Sequence, residues 1–277
     1  YDNGVLARSK EVYDPQTDAW YWFEADGTMA RDKDVFIVLN ADGTGKWTRY
    51  DSDGRMVKGE SYKNGAWYYF DLTTGAMAKG FVNLPQSDDP NGKWVYYDPI
   101  TGKMQYGEQY IDGYWYYFDV NGTMLTGWQK LANDWYYLYG TGEMATGWAK
   151  INGQWYYFWP LTENGHTQGT MAYGGWKIIG ADYYFFREDG SLYTGWLEQN
   201  GSWYYLNTLD NSLQGVMFTG WLIREGKTYF LDVDGVMAAG WYQVDGNWYY
   251  FWPDSGEMAK NQYINGFYVN GDGIWYR

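Results

Sequence analysis

The chain has no cysteine and a single histidine, His166. Without cysteine there is no disulfide framework from which to read a redox compartment. His166 falls in a predicted loop and reads as an ordinary surface residue. Leucine, isoleucine and valine are few, so a conventional aliphatic core is not expected. No apolar run is long enough to cross a membrane as a helix, and no signal peptide is visible. That absence means little, because the chain opens inside a repeat at Tyr1-Asp2-Asn3-Gly4 and stops inside another at Trp275-Tyr276-Arg277. It reads as a fragment of a longer polypeptide, fused to another domain. Apolar residues keep period two and never hold a period of 3.6, so helices are not expected. No glycine-rich phosphate loop follows a strand and opens a helix. Basic residues number 20 against 34 acidic ones, a formal net charge of -14. Such a surface disfavours nucleic acid and anionic membranes, and suits a cationic ligand or simple solubility.

What the chain has in excess is aromatic rings, 23% of its residues, with 19 Trp and 32 Tyr. They recur in a unit best seen at Gly147-Trp148-Ala149-Lys150-Ile151-Asn152-Gly153-Gln154-Trp155-Tyr156-Tyr157-Phe158. This reads as two short strands joined by an Asn-Gly turn, a pair that tolerates positive φ. Each copy closes on Gly-x-Met or a relative, at Met29, Met56, Met77, Met104, Met124, Met144, Met171, Leu192, Met217, Met237 and Met258. The markers are 20 or 21 residues apart, stretched to between 25 and 27 in four copies. A hairpin this short cannot bury both faces alone and needs a copy beside it. The expected fold is therefore all-β: an elongated β-solenoid of about eleven stacked hairpins, with almost no helix. Stacked rings replace the aliphatic core, with Tyr156-like and Phe158-like positions packing it.

The repeats fall into two groups. Residues 126–277 carry a Gly-Trp start at Trp128, Trp148, Trp176, Trp196, Trp221 and Trp241. Seven residues on stand Trp135, Trp155, Tyr183, Trp203, Thr228 and Trp248. In residues 1–125 the position of the first Trp, counted from the preceding marker, holds Lys10, Lys33, Glu60, Phe81 and Glu108. The same solenoid thus has a partly degenerate N-terminal part and a regular C-terminal one, whose last repeat is truncated.

Two Trp of one hairpin and a Tyr of the next, such as Trp128, Trp135 and Tyr157, can bring three ring faces together. Such a box suits a quaternary ammonium, which donates no conventional hydrogen bond but is drawn to ring quadrupoles. Enzyme signals are absent. Most carboxylates lie in turns such as Asp51-Ser52-Asp53-Gly54, where Asp caps its own backbone. These turns lack the ligand register of an EF-hand. No catalytic residue, cofactor or metal is expected.

The repeat from Thr146 to Phe158 resembles the choline-binding, or cell-wall-binding, repeat of Gram-positive surface proteins and lysins. It is similar also to repeats of glucan-binding proteins and clostridial toxins. The resemblance covers essentially the whole chain. It implies a left-handed β-solenoid with pockets between hairpins. Carried over residue by residue, the pockets are Trp128, Trp135 and Tyr157; Trp148, Trp155 and Phe185; Trp176, Tyr183 and Tyr205; and Trp196, Trp203 and Phe230. In the N-terminal part only Phe81, Trp94 and Tyr117 keep three rings. After Trp221, Thr228 replaces the second ring, with Tyr250 as third partner. Trp241 and Trp248 have no clear third ring. The implied function is non-catalytic anchoring of a secreted protein at a bacterial cell surface, through choline or phosphocholine on teichoic acids. The alternative is a carbohydrate-binding module for glucan or host glycans, since rings also stack on sugars.

Overall fold

Asn152 and Gly153 sit at φ +49° and +83°. Both central residues of the turn are left-handed, the geometry that matches the twist of two antiparallel strands. The turn sets the register: Ile151 pairs with Gln154, Trp148 with Tyr157 and Gly147 with Phe158. The computed structural model describes residues 4–86, 90–162 and 165–276. Among them are twelve such hairpins and no helix. Hairpins 1 to 6 are Lys10–Asp14 with Ala19–Phe23, Lys33–Val38 with Gly45–Tyr50, Gly59–Lys63 with Ala66–Phe70, Gly80–Leu84 with Lys93–Tyr97, Gly107–Ile111 with Tyr114–Phe118, and Gly127–Leu131 with Asp134–Leu138. Hairpins 7 to 12 are Gly147–Ile151 with Gln154–Phe158, Gly175–Ile179 with Asp182–Phe186, Gly195–Gln199 with Ser202–Leu206, Gly220–Arg224 with Lys227–Leu231, Gly240–Val244 with Asn247–Phe251, and Gln262–Ile264 with Phe267–Val269. Trp275–Tyr276 adds a third strand to the last. In the long loop of hairpin 4, Ser87–Asp89 lie outside the described residues, as do Glu163 and Asn164 in the loop after hairpin 7.

The chain divides into two units, residues 1–129 with 137–144 and residues 130–136 with 145–277. Hairpin 6 is shared between them. Within each unit, one device links a hairpin to the next. Every marker residue bridges the end of its own second strand, as Leu192 does to Phe186. From Met56 onward its N–H then donates to the preceding hairpin. In the first unit Met56 reaches the Trp20 carbonyl at 2.8 Å, Met77 that of Trp47 at 2.7 Å and Met104 that of Trp67 at 2.9 Å. In the second, Leu192 reaches Trp155, Met217 Tyr183, Met237 Trp203 and Met258 Thr228, all at 2.8 Å. The repeat spacing therefore has a backbone cause.

The marker side chain explains the glycine two residues before the following marker. A Cβ on Gly190 would overlap Sδ of Met171, and the glycine stands at φ +80°. Only glycine meets both demands. From hairpin 2 onward the core runs through the last residue of each second strand. Tyr50, Phe70, Tyr97 and Phe118 in the first unit are at most 1% exposed, as are Phe158, Phe186, Leu206, Leu231 and Phe251 in the second. Each pairs with the residue that opens its hairpin, a Gly in all of these except Tyr50, which faces Lys33. A bulky side chain there is fully buried, worth about 1.5–3 kcal/mol each.

Register corrects one expectation. Lys10 pairs with Phe23 and Lys33 with Tyr50, as Gly147 does with Phe158. The position of the first Trp is thus held by Glu11 and Asp34, one residue later than the count from the marker placed it. The connection before hairpin 2 is one residue longer than before hairpin 3, which the count could not see. Four of the first five hairpins therefore carry a carboxylate there: Glu11, Asp34, Glu60 and Glu108.

Candidate functional site

Period-two alternation gives each hairpin two faces. Because Trp148 pairs directly with Tyr157, and Lys150 with Trp155, these four share one face. Tyr156 and Phe158 lie on the other. In a stack, the first face of one hairpin meets the opposite face of the next. Trp148 accordingly lies 4.9 Å from Tyr184 and 5.9 Å from Phe186 of hairpin 8, centroid to centroid. Phe185 is turned away, against its own Trp176 at 5.3 Å.

The correction holds at the following junctions of the second unit. Trp176 meets Tyr204 at 5.1 Å, Trp196 meets Tyr229 at 4.9 Å and Trp221 meets Tyr249 at 4.9 Å. In the first unit Phe81 meets Tyr116 at 5.1 Å. The residues expected as third walls belong to their own hairpins. Tyr157 packs on Trp148 and Tyr205 on Trp196, both at 5.1 Å. Phe230 packs on Trp221 at 5.0 Å and Tyr250 on Trp241 at 5.3 Å. Tyr117 pairs across its hairpin with Glu108. A shift of one residue moves a side chain to the opposite face. Positions read as core, Tyr184 and its equivalents, are thus the ones that meet the preceding Trp. Trp128 packs on Tyr137 at 5.1 Å in the first unit. Trp135 and Tyr157 belong to the second, so that expected set is divided between the units.

Two concave sites are well formed. The first, of about 300 Å³, is walled by Trp148, Trp155 and Tyr184 and floored by Leu192. Trp148 and Trp155 stand at 86° to each other with centroids 6.4 Å apart. The inserted loop after hairpin 9 brings Asn211, Ser212 and Gln214 to its rim. A tyrosine phenol is neutral at physiological pH, and burial, with smaller contributions from Asp182 and Tyr157, pushes that of Tyr184 further above its ordinary range. The ring therefore offers its quadrupole and not a phenolate charge.

The second site, of about 260 Å³, was not visible in the sequence. Trp241 and Trp248 meet Phe267 and Trp275, and no polar side chain lines it. Trp241 and Phe267 stand at 85°, 5.9 Å apart, and Phe267 and Trp275 at 80°, 5.8 Å apart. The third wall is Phe267, which opens the second strand of hairpin 12, and the fourth comes from the added strand. Hairpin 12 lacks the Gly-Trp start, so the repeat pattern does not mark them.

The remaining junctions are less complete. Thr228 stands where a second ring would, and its hydroxyl accepts from Lys260 Nζ at 3.2 Å. Trp94, Trp203 and Tyr183 are exposed. His166 stacks flat on Trp159 with centroids 3.9 Å apart, in a polar hollow away from these boxes. Among the described residues no three His, Cys, Asp or Glu side chains gather as a metal site would need.

The family model described as a choline-binding repeat matches residues 42–80, 89–126, 125–165, 173–213 and 214–263. One described as a putative cell wall binding repeat matches residues 16–29. No curated protein sequence matches the chain. Among solved structures, CbpJ from Streptococcus pneumoniae is 27% identical, covering 88% of this chain and 100% of its own, with a TM-score of 0.62. Choline binding protein F of the same organism is 28% identical over 97% of this chain and 98% of its own, with a TM-score of 0.58. The modular autolysin LytC of S. pneumoniae, in complex with a synthetic peptidoglycan ligand, is 25% identical. It is matched over 90% of this chain but 52% of its own, with a TM-score of 0.50.

Proposed function

The chain belongs to the choline-binding repeat family, and on that premise we propose that its aromatic boxes bind choline or phosphocholine on teichoic acids. The protein would thereby be anchored, secreted, at a Gram-positive cell surface. The observation that carries this is the box of Trp148, Trp155 and Tyr184, three neutral ring faces around one cavity. Rings contribute about 0.5–2 kcal/mol each to a cation, so three supply roughly 4 kcal/mol, a dissociation constant of about 1 mM. Several weak boxes on one chain then hold a choline-bearing polymer by avidity. The all-aromatic cage of Trp241, Trp248, Phe267 and Trp275 favours a cation over a sugar, because sugar hydroxyls need polar partners that it lacks. The polar rim of Asn211, Ser212 and Gln214 gives the glycan alternative its only foothold in these two sites.

The ligand-binding residues of this reading are Trp148, Trp155, Tyr184, Trp241, Trp248, Phe267 and Trp275. Trp176 with Tyr204 and Trp196 with Tyr229 are further candidates. The pockets concentrate after residue 126, where the Gly-Trp starts lie. The repeats would act as the wall-binding part of a larger protein, as the half-length match to a modular autolysin suggests. The test is calorimetric titration of the full chain with choline, phosphocholine and a plain glucan oligosaccharide. Millimolar choline binding at several sites is expected. Tighter binding of the glucan would replace this function with the glycan one.

A further inference from the structure

In hairpins 1 to 3 the missing Trp is replaced by a carboxylate, and the carboxylate already has a cation. Asp34 stands where Trp148 stands in hairpin 7. Opposite it, Arg49 occupies the position of Tyr157. Nε and Nη2 of Arg49 donate to the two Asp34 oxygens at 2.7 and 2.9 Å, and Nη1 to Ser61 Oγ at 3.3 Å. The guanidinium carbon then lies 4.3 Å from the Tyr68 centroid and 5.0 Å from that of Phe70, in the next hairpin. Tyr68 and Phe70 are the equivalents of Tyr184 and Phe186, the rings that Trp148 packs on. Arg49 is only 4% exposed. A bidentate guanidinium–carboxylate pair stacked on ring faces combines two favourable geometries for a cation away from water.

We propose that Arg49 is a resident cation of the junction between hairpins 2 and 3, its guanidinium lying on Tyr68 and Phe70 as the Trp148 indole lies on Tyr184 and Phe186 between hairpins 7 and 8. The junction is then complete without ligand, and Asp34 with Tyr68 forms a latent site for guanidinium or ammonium cations. The neighbouring junctions point the same way. Lys46 of hairpin 2 pairs with Glu11 of hairpin 1 at 3.1 Å, and the Tyr50 hydroxyl donates to the same Glu at 3.1 Å. Lys93 of hairpin 4 approaches Glu60 of hairpin 3 at 3.6 Å. Each carboxylate at the Trp position of hairpins 1 to 3 thus meets a cation of the chain itself. The inference does not rest on the choline reading, and its test does not depend on choline.

The test is cation rescue of Arg49→Ala in the full chain, followed by melting temperature. Removing Arg49 leaves the Asp34 carboxylate, itself 30% exposed, without its cation and the rings without their cover, and a drop of about 5 °C is expected. Ethylguanidinium, below denaturing concentrations, should recover most of that drop, while matched sodium chloride or urea should not. Adding Asp34→Asn should abolish the recovery. If Arg49→Ala does not fold, refolding with ethylguanidinium should restore its β spectrum. No cation-specific recovery in either form overturns the inference. So does an Arg49→Met protein that melts like the parent, since an apolar side chain would then serve as well. Rescue in a protein whose second unit binds no choline would leave this inference standing and remove the choline reading.

Discussion

Tyr184 stands 4.9 Å from Trp148, while its chain neighbour Phe185 turns to Trp176 at 5.3 Å. Adjacent residues thus serve different junctions. Tyr184→Leu should remove the box of hairpins 7 and 8, whereas Phe185→Leu should leave it. Losing one wall costs about 0.5–2 kcal/mol at that site. Choline calorimetry on two variants with parental spectra decides it, and equal effects would undo the assignment.

The terminal cage gives an independent check. Trp275→Ala opens one of four walls around Trp241, Trp248 and Phe267. The expected outcome is a choline site weakened by about two- to thirtyfold, equivalent to about 0.5–2 kcal/mol. Quenching of tryptophan fluorescence by choline, compared with the parent, reads it.

Between hairpins 10 and 11 the second ring is missing. Thr228→Trp should supply it beside Trp221 and Tyr249, which are 4.9 Å apart. The change also displaces Lys260, whose amine now donates to Thr228 at 3.2 Å. One additional choline site is expected by calorimetry. An unchanged site count in a folded variant would show that position 228 does not face the junction.

Glycine before the marker should be far less replaceable than glycine at the hairpin start. Gly190→Ala meets both a left-handed backbone and Met171, and should cost about 2–5 kcal/mol. Gly147→Ala has φ +71° but open space, and should cost only about 1–2 kcal/mol. Urea unfolding of the two variants measures the difference.

Burial raises the phenols of Tyr50, Tyr97 and Tyr184, those of Tyr50 and Tyr97 most strongly. The folded chain therefore holds protons that the unfolded chain releases near pH 10.0, the ordinary tyrosine value. The stability they provide is complete below that pH and falls as pH rises above it. At the other end, hydrogen bonds from Thr28, Thr44, Thr74 and Thr101 lower the carboxyls of Asp26, Asp42, Asp71 and Asp98. Their contribution is present above the usual carboxylate range and is lost as pH falls through it. Melting temperature should hold a plateau at intermediate pH and fall on both sides. No titrating charge lines the Trp148 box, so choline affinity should be flat across the plateau.

The hairpin, its Asn-Gly turn and its repeat were legible in the sequence, because they depend on residues close together in the chain. Turn residues set φ, alternation sets faces, and the Gly-x-Met marker recurs where one hairpin bonds to the last. Even the pairing of Trp148 with Tyr157 follows from counting outward from Gly153. The choice of Tyr184 over Phe185 does not. It depends on which face of hairpin 8 is laid against hairpin 7, and both faces are aromatic, so composition cannot distinguish them. The cage around Trp241 needed Phe267 from a last hairpin without the Gly-Trp start and Trp275 from an added strand, neither of which the repeat pattern marks. Arg49 on Tyr68 was likewise hidden, since a lone Arg in a strand carries no sign of the ring it will cover. These relationships arise between hairpins, where backbone stacking fixes the approach and side chains far apart in the chain take the places it leaves.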